Sequence, residues 1–161
     1  MEECWVGRVS VWVALAGGCL VLAIAVLVTA SVVRRWLTSD GIGGDFELVQ
    51  TGLALGVFAF LPLCQLRDAN IVVDTFTARL PARARGGLDA LWAATYALAA
   101  GILAWRLAAG AADTVASGTT SMVLGLPIGW AIAASALLTA WLCLVALATA
   151  AKFLRAGDGR Q

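Results

Sequence analysis

The sequence predicts an all-α integral membrane protein with four transmembrane helices and a short amphipathic interfacial helix between the second and the third. Hydrophobic residues make up 61% of the 161 positions, and the mean hydropathy is +0.91. Charged residues make up 13%, which is about half the fraction expected of a soluble domain. Four long uncharged stretches provide the spans, and the basic residues lie mainly between and beyond them.

The first span is predicted at about residues 10–33. Residues 9–33 carry no charge, and these 25 residues form a helix of about 37 Å, longer than the roughly 30 Å hydrocarbon core. Trp12 and Trp36 lie near its two ends, where indole rings prefer the membrane interface. The apolar run exceeds that of a signal peptide, so we expect a retained helix.

The second span is predicted at about residues 47–66, after a glycine-rich turn. Asp45 and Glu47 fall in the first helical turn, where acidic side chains complement the helix dipole. Pro62 is expected to kink this helix near its end.

Small residues recur at four-residue spacing in several spans. Gly52 and Gly56 form a G-x-x-x-G pattern, which lets another helix backbone approach closely. Two further stripes lie in the third and fourth spans: Ala93, Ala97 and Gly101, and Ala131, Ser135, Thr139 and Cys143. We therefore expect tight helix packing, within the chain or against a partner.

Residues 67–87 form a basic connection that we interpret as an interfacial elbow in contact with lipid headgroups. Asp74 is placed to cap a short amphipathic helix, and Pro81 suits the first turn of the next one. Four of the eleven basic residues lie here: Arg67, Arg79, Arg83 and Arg85.

The third and fourth spans are predicted at about residues 88–110 and 127–151. Arg106 interrupts the third, and its long side chain can reach the headgroups. A loop of small residues starting at Asp113 connects the two spans, and Pro127 begins the last uncharged run. The chain is therefore one four-helix membrane domain, residues 1–161.

Basic residues predict the orientation. The two termini and the elbow share one side and carry eight Lys and Arg residues, whereas the other side carries three, Arg34, Arg35 and Arg106. Cytoplasmic segments are enriched in basic residues, so both termini should lie in the cytoplasm of a bacterial inner membrane.

The sequence offers little for catalysis. It contains no histidine, and its four cysteines form no C-x-x-C pair, so we predict no catalytic, cofactor or metal site and interpret the cysteines as small buried side chains. The net charge of +1 gives no reason to expect a nucleic acid partner. Polar side chains within the first and fourth spans can bond to their own helices: Thr29, Ser31, Ser135, Thr139 and Thr149.

Three charged residues lie close to the ends of the spans. We interpret Glu47, Arg67 and Arg106 as interface anchors, with a specific contact to another helix or a partner as the alternative.

Two motifs stand out: G-D-F-E-L before the second span, and R-x-x-x-I-x-V-D followed by L-P-x-R-A-R-x-x-L-D in the elbow. Together with the layout of four spans, they resemble the small permease subunit of TRAP transporters, the tripartite ATP-independent periplasmic transporters. Asn70 stands where many members of the family have histidine. The matching residues are Glu47, Leu48, Arg67, Ile71, Val73, Asp74, Leu80, Pro81, Arg83, Arg85 and Asp89.

This resemblance implies a scaffold for a large permease membrane subunit in sodium-coupled symport of organic acids. It implies that the large subunit binds sodium and substrate, and that this chain helps to dock a periplasmic binding protein. The residues expected to serve the interface or the structure are Glu47, Gly52, Gly56, Arg67, Asp74, Leu80, Pro81, Arg83 and Arg85.

Two alternatives remain open from the sequence. One is a self-associating four-span channel or structural protein that uses the small-residue stripes as contacts. The other is the small subunit of a tripartite tricarboxylate-type transporter, against which the elbow motif counts. An enzyme is the least favoured reading, because no nucleophile with a base and no paired carboxylates lie in the spans.

Overall fold

Four α-helices, each corresponding to one predicted span, form the fold. The computed structural model describes the backbone of residues 2–67 and 82–158, and the side chains of residues 5–67 and 87–152. The helices are α1 (Glu2–Thr38), α2 (Asp45–Leu66), α3 (Ala82–Ala116) and α4 (Gly129–Asp158). Each is long and apolar enough to cross a membrane. The all-α prediction with four spans is confirmed, whereas the predicted interfacial helix lies outside the described residues.

Helices α1 and α3 extend beyond the predicted spans at both ends, and α2 begins two residues earlier than predicted. Helix α4 begins at Gly129, so the predicted start at Pro127 was wrong by two residues. With 37 residues, α1 is about 55 Å long. Helix α3 continues past Arg106 to Ala116, so the expectation of a loop starting at Asp113 was wrong by four residues. The helix ends where the next glycine, Gly118, adopts φ 64°. The Gly118 and Thr119 amides then bond back to the carbonyls of Val115 and Thr114, which is a Schellman motif.

The α1–α2 connection, residues 39–44, uses left-handed backbone at both ends. Ser39 has φ 59° directly after α1, and Gly44 has φ 79° directly before α2. Helix α2 continues through Pro62, which is fully buried, to Leu66. The connection therefore reverses the chain within six residues, and α1 and α2 pack side by side.

Glycines form the contact between α1 and α2. A Cβ added at Gly17 would lie 2.7 Å from Cβ of Ala59, and one added at Gly56 would lie 2.6 Å from Cγ2 of Val21. A Cβ at Gly52 would meet the side chain of Ile24. Such distances are below any normal carbon–carbon contact. At Gly17 the neighbouring Cβ cannot rotate away, so the close approach of the two helices there requires glycine. At Gly52 and Gly56 the neighbouring side chains would have to shift to accept a Cβ. We call this contact the α1–α2 seam.

The stripes of the third and fourth spans pack against each other. Cys143 donates a hydrogen bond from Sγ to the Ala97 carbonyl at 3.2 Å, and a Cβ at Gly101 would lie 3.4 Å from that sulfur. Thr139 is fully buried, and its hydroxyl bonds to the Ser135 carbonyl of its own helix. Helices α3 and α4 thus form a second closely packed pair.

Helix α2 joins the two pairs by packing against α4. At the end of the bundle where α1 begins, the indole of Trp141 in α4 donates a hydrogen bond to Ser10 in α1 at 3.1 Å. Trp5 packs edge-on against the same ring, with centroids 5.8 Å apart. The helices pack in the order α1–α2–α4–α3. Both described interhelical connections lie together at the other end of the bundle, where Leu124 of one contacts Gly44 of the other. We call that end, with residues 39–44 and 117–128, the loop end.

Candidate functional site

The loop end is held together by Glu47, which projects from the first turn of α2. The Ser121 hydroxyl donates to Oε2 at 2.7 Å, the Val123 amide donates to Oε1 at 2.8 Å, and the Leu124 amide donates to Oε2 at 3.0 Å. Both carboxylate oxygens are thus engaged by a segment more than 70 residues away in the sequence. This carboxylate fastens the α3–α4 connection to the start of α2.

The α3–α4 connection is itself an ordered hairpin loop, residues 117–128. Thr120 and Pro127 form an antiparallel bridge, and the Ser121 amide donates to the Leu126 carbonyl at 2.9 Å. The Leu126 amide donates in return to the Ser121 hydroxyl at 3.2 Å, and Gly125 takes φ 64° at the turn. Ser121 therefore closes the hairpin loop and also binds Glu47.

Leu124 anchors the same loop over the α1–α2 connection. A Cβ at Gly44 would lie within 3 Å of three carbons of the Leu124 side chain, which therefore rests directly on the Gly44 backbone. Gly44 also has the left-handed φ that favours glycine. Two independent reasons thus require glycine immediately before α2.

Asp45 makes a second polar contact at the loop end. It accepts hydrogen bonds from the buried Ser31 hydroxyl of α1 and, at 2.7 Å, from the Phe46 amide. The Arg35 guanidinium lies 3.7 Å from the same carboxylate. Ser31 in turn accepts a hydrogen bond from the Ile42 amide at 3.3 Å. The two neighbouring acids of α2 therefore hold opposite sides of the loop end, Asp45 towards α1 and Glu47 towards the hairpin loop.

These contacts bear on two expectations, one about polar side chains within the spans and one about Glu47. Thr29, Ser135, Thr139 and Thr149 bond to carbonyls of their own helices, as predicted. Ser31 does not, because Asp45 and Ile42 offer it partners across the connection. For Glu47, the structure favours a specific contact over interface anchoring alone. Ser31, Ser121 and Ser10 were not singled out as partners, and no spacing in the sequence links them to the residues that they bind.

The other predicted site residues are distributed over the chain. Gly52 and Gly56 lie in the α1–α2 seam, whereas Arg67 is exposed at the opposite end of α2 from Glu47. Arg106 is exposed, and its guanidinium carbon lies 5.9 Å from the centre of the Trp105 ring. Arg83 and Arg85 fall in the first turns of α3, but their side chains lie outside the described part of the structure. Asp74, Leu80 and Pro81 also lie outside it.

Within the described ranges, no three Cys, Asp or Glu side chains come together as metal ligands. Cys19, Cys64 and Cys143 are free thiols; Cys19 is exposed and the other two are half-buried, so the expectation of buried side chains was wrong for these three. Glu47 and Asp45 are engaged in hydrogen bonds within the chain, so their arrangement serves to fix backbone segments. The polar contacts of the loop end therefore serve to hold the structure together.

The four apolar helices define a multi-pass membrane protein. Its helices pack closely through small residues, and its two described connections are bonded together at the loop end. A family model described as "Tripartite ATP-independent periplasmic transporters, DctQ component" matches residues 24–156. The chain belongs to this family and is the small permease subunit of a TRAP transporter. Neither the search of curated proteins nor that of solved structures found a match.

Membership of this family settles several expectations. The chain is a component of a transporter, and its family works with a large permease subunit and a binding protein. The tricarboxylate-type alternative is thereby replaced by the TRAP assignment. The family is one of transport components and not of enzymes.

Proposed function

We propose that the chain is a rigid scaffold on which the large permease subunit moves during sodium-coupled uptake of an organic acid. Sodium and substrate bind to the large subunit, and this chain supplies a surface of constant shape. The observation that carries the proposal is the combination of the α1–α2 seam with the Glu47 contact. The seam holds α1 against α2, and Glu47 holds the α3–α4 connection against α2. If the chain itself changed shape during transport, these contacts would have to break.

The distribution of charge supports this division of labour. A membrane protein that moves an ion along its own pathway usually places ionisable side chains inside its spans. Here Asp45 and Glu47 lie at a helix start and bind the two connections. The central parts of the four spans carry no Asp, Glu, Lys, Arg or His. The chain thus has the composition of a support for a transport pathway in another subunit.

We further propose that the chain lies in the bacterial inner membrane with both termini in the cytoplasm. The basic residues support this orientation, with eight on the side of the termini and three on the other. The loop end then faces the periplasm, where the binding protein arrives. Arg34 and Asp40 form an exposed ion pair there, with 3.5 Å between Nη2 and Oδ2. Exposed charges of both signs suit a contact that forms and dissociates during transport.

The scaffold proposal predicts the composition of the purified complex. A chain tagged at its C-terminus and solubilised in mild detergent should co-purify in stoichiometric amount with one much larger, many-span membrane protein. A purification from cells that carry the untagged chain is the control. Recovery of only further copies of the same chain would contradict the proposal and favour the channel or structural alternative.

A further inference from the structure

The tip of the hairpin loop exposes apolar side chains on a fixed backbone. Met122 is 100% exposed and Val123 is 66% exposed. The Val123 amide is bonded to Glu47, and the neighbouring Leu124 rests on Gly44, so the backbone of the tip is fixed on both sides. The tip therefore presents two exposed apolar side chains from a backbone that is bonded in place.

Aromatic side chains mark the level of the membrane interface around this loop. Trp36 near the end of α1, Phe46 in the first turn of α2 and Trp130 in the first turn of α4 are all exposed. All three lie at the loop end, one on each of three helices. Exposed tryptophan rings at the ends of spans are typical of the headgroup region. The hairpin loop ends one residue before α4 begins, so its base lies close to this level.

The hairpin loop has no charged side chain of its own, and the one carboxylate that contacts it, Glu47, has both oxygens engaged by loop donors. After Asp113 the next ionisable charge is Lys152, so the whole loop and the span that follows are uncharged. The backbone groups of the loop are bonded to one another or to Glu47 at several positions, which lowers the cost of moving them out of water. A soluble partner that binds and leaves would expose this apolar tip to water whenever it was absent, and such contacts usually carry more polar groups.

We propose that Met122 and Val123 insert into the boundary between headgroups and acyl chains of the leaflet at the loop end. The hairpin loop is then a lipid contact that fixes the depth of the scaffold, and Glu47 holds it in the inserted conformation. This inference concerns lipid contact by the loop and holds for either orientation of the chain. It is independent of the identity of the transported substrate.

A fluorescent label on the tip tests the proposal. Cys4, Cys19, Cys64 and Cys143 are replaced by alanine, and Met122→Cys is labelled with a small environment-sensitive dye. The complex with its co-purified large subunit is placed in nanodiscs whose lipids carry bromine near the glycerol backbone. Thr119→Cys is the matched control, because this residue is exposed in the same loop but lies in a polar environment, 2.7 Å from the Ser117 hydroxyl.

The expected result is strong quenching at position 122 by brominated lipid and weak quenching there by aqueous iodide, with the reverse at position 119. Quenching of position 122 by iodide alone would place the tip in water and overturn the proposal. Protection of position 122 from both quenchers would place it against the large subunit and would also overturn it. Neither result bears on co-purification of the two subunits, so failure of this inference is distinguishable from failure of the scaffold proposal.

Discussion

Substitution of Glu47 by alanine is expected to release the hairpin loop from α2. The change removes the acceptor for the Ser121 hydroxyl and for the Val123 and Leu124 amides. These donors would then have to find water, and the loop would lose the contact that orders it. Hydrogen exchange of peptides covering residues 117–128 should become faster, and the thermal transition of the purified chain should fall.

Two further variants make this test specific. Glu47→Gln keeps one acceptor oxygen but places an NH2 group opposite a donor, so its effect should be intermediate. Gln50→Ala changes an exposed residue one turn along α2 and should leave exchange in the loop unchanged. Unaltered exchange of the Val123 and Leu124 amides in Glu47→Ala would show that the carboxylate does not hold the loop.

Opposite effects are expected from alanine at two adjacent glycines of α1. At Gly17 the new methyl group would lie 2.7 Å from Cβ of Ala59, so α1 and α2 would have to separate. At Gly18 the nearest atom would be a Phe60 ring carbon at 3.9 Å, which is an ordinary contact. Gly17→Ala should destabilise the chain by about 1–3 kcal/mol through overpacking. Gly18→Ala should be neutral or stabilise it by up to about 1 kcal/mol through helix propensity.

The two variants control for each other, because each adds one methyl group at a glycine of the same helix. Thermal unfolding in detergent, followed by tryptophan fluorescence and by size-exclusion recovery, gives the comparison. Equal transitions for Gly17→Ala and Gly18→Ala would mean that α1 and α2 do not approach as closely as the seam requires.

The four helices could be predicted because bilayer thickness imposes a minimum length on an uncharged run. Residues 9–33 and 127–151 satisfy that length with few alternatives. The ends of the helices were less predictable, since hydrogen bonding of the backbone continues beyond the hydrocarbon. At α3 the decisive feature was the left-handed conformation of Gly118, and Asp113 alone did not end the helix.

The contacts of the loop end could not be derived from sequence patterns. Glu47 occupies a position where helix-dipole complementarity already accounts for an acid, so nothing pointed to Ser121. Ser31 likewise had a sufficient partner within its own helix. The hydrogen-bond partners of Glu47 and Ser31 depend on which connections meet in space. That depends on how the four helices pack.

The small-residue stripes were candidate surfaces for self-association of the chain. The sequence left open whether Gly52 and Gly56 face a helix of the same chain or of another copy. In the structure the α1–α2 seam uses both glycines, and the stripes of α3 and α4 pack on each other.

The elbow motif at Asp74 and Pro81 lies outside the described residues, and its interfacial role stays a prediction.

Ion flux by the chain alone tests the scaffold account most directly. Liposomes containing only this chain are compared, for uptake of radioactive sodium, with protein-free liposomes and with liposomes containing the co-purified complex. The account predicts no uptake by the chain alone beyond the protein-free level, because sodium is proposed to bind to the large subunit. Saturable sodium uptake by the chain alone would contradict it, since the four helices would then form a pathway of their own.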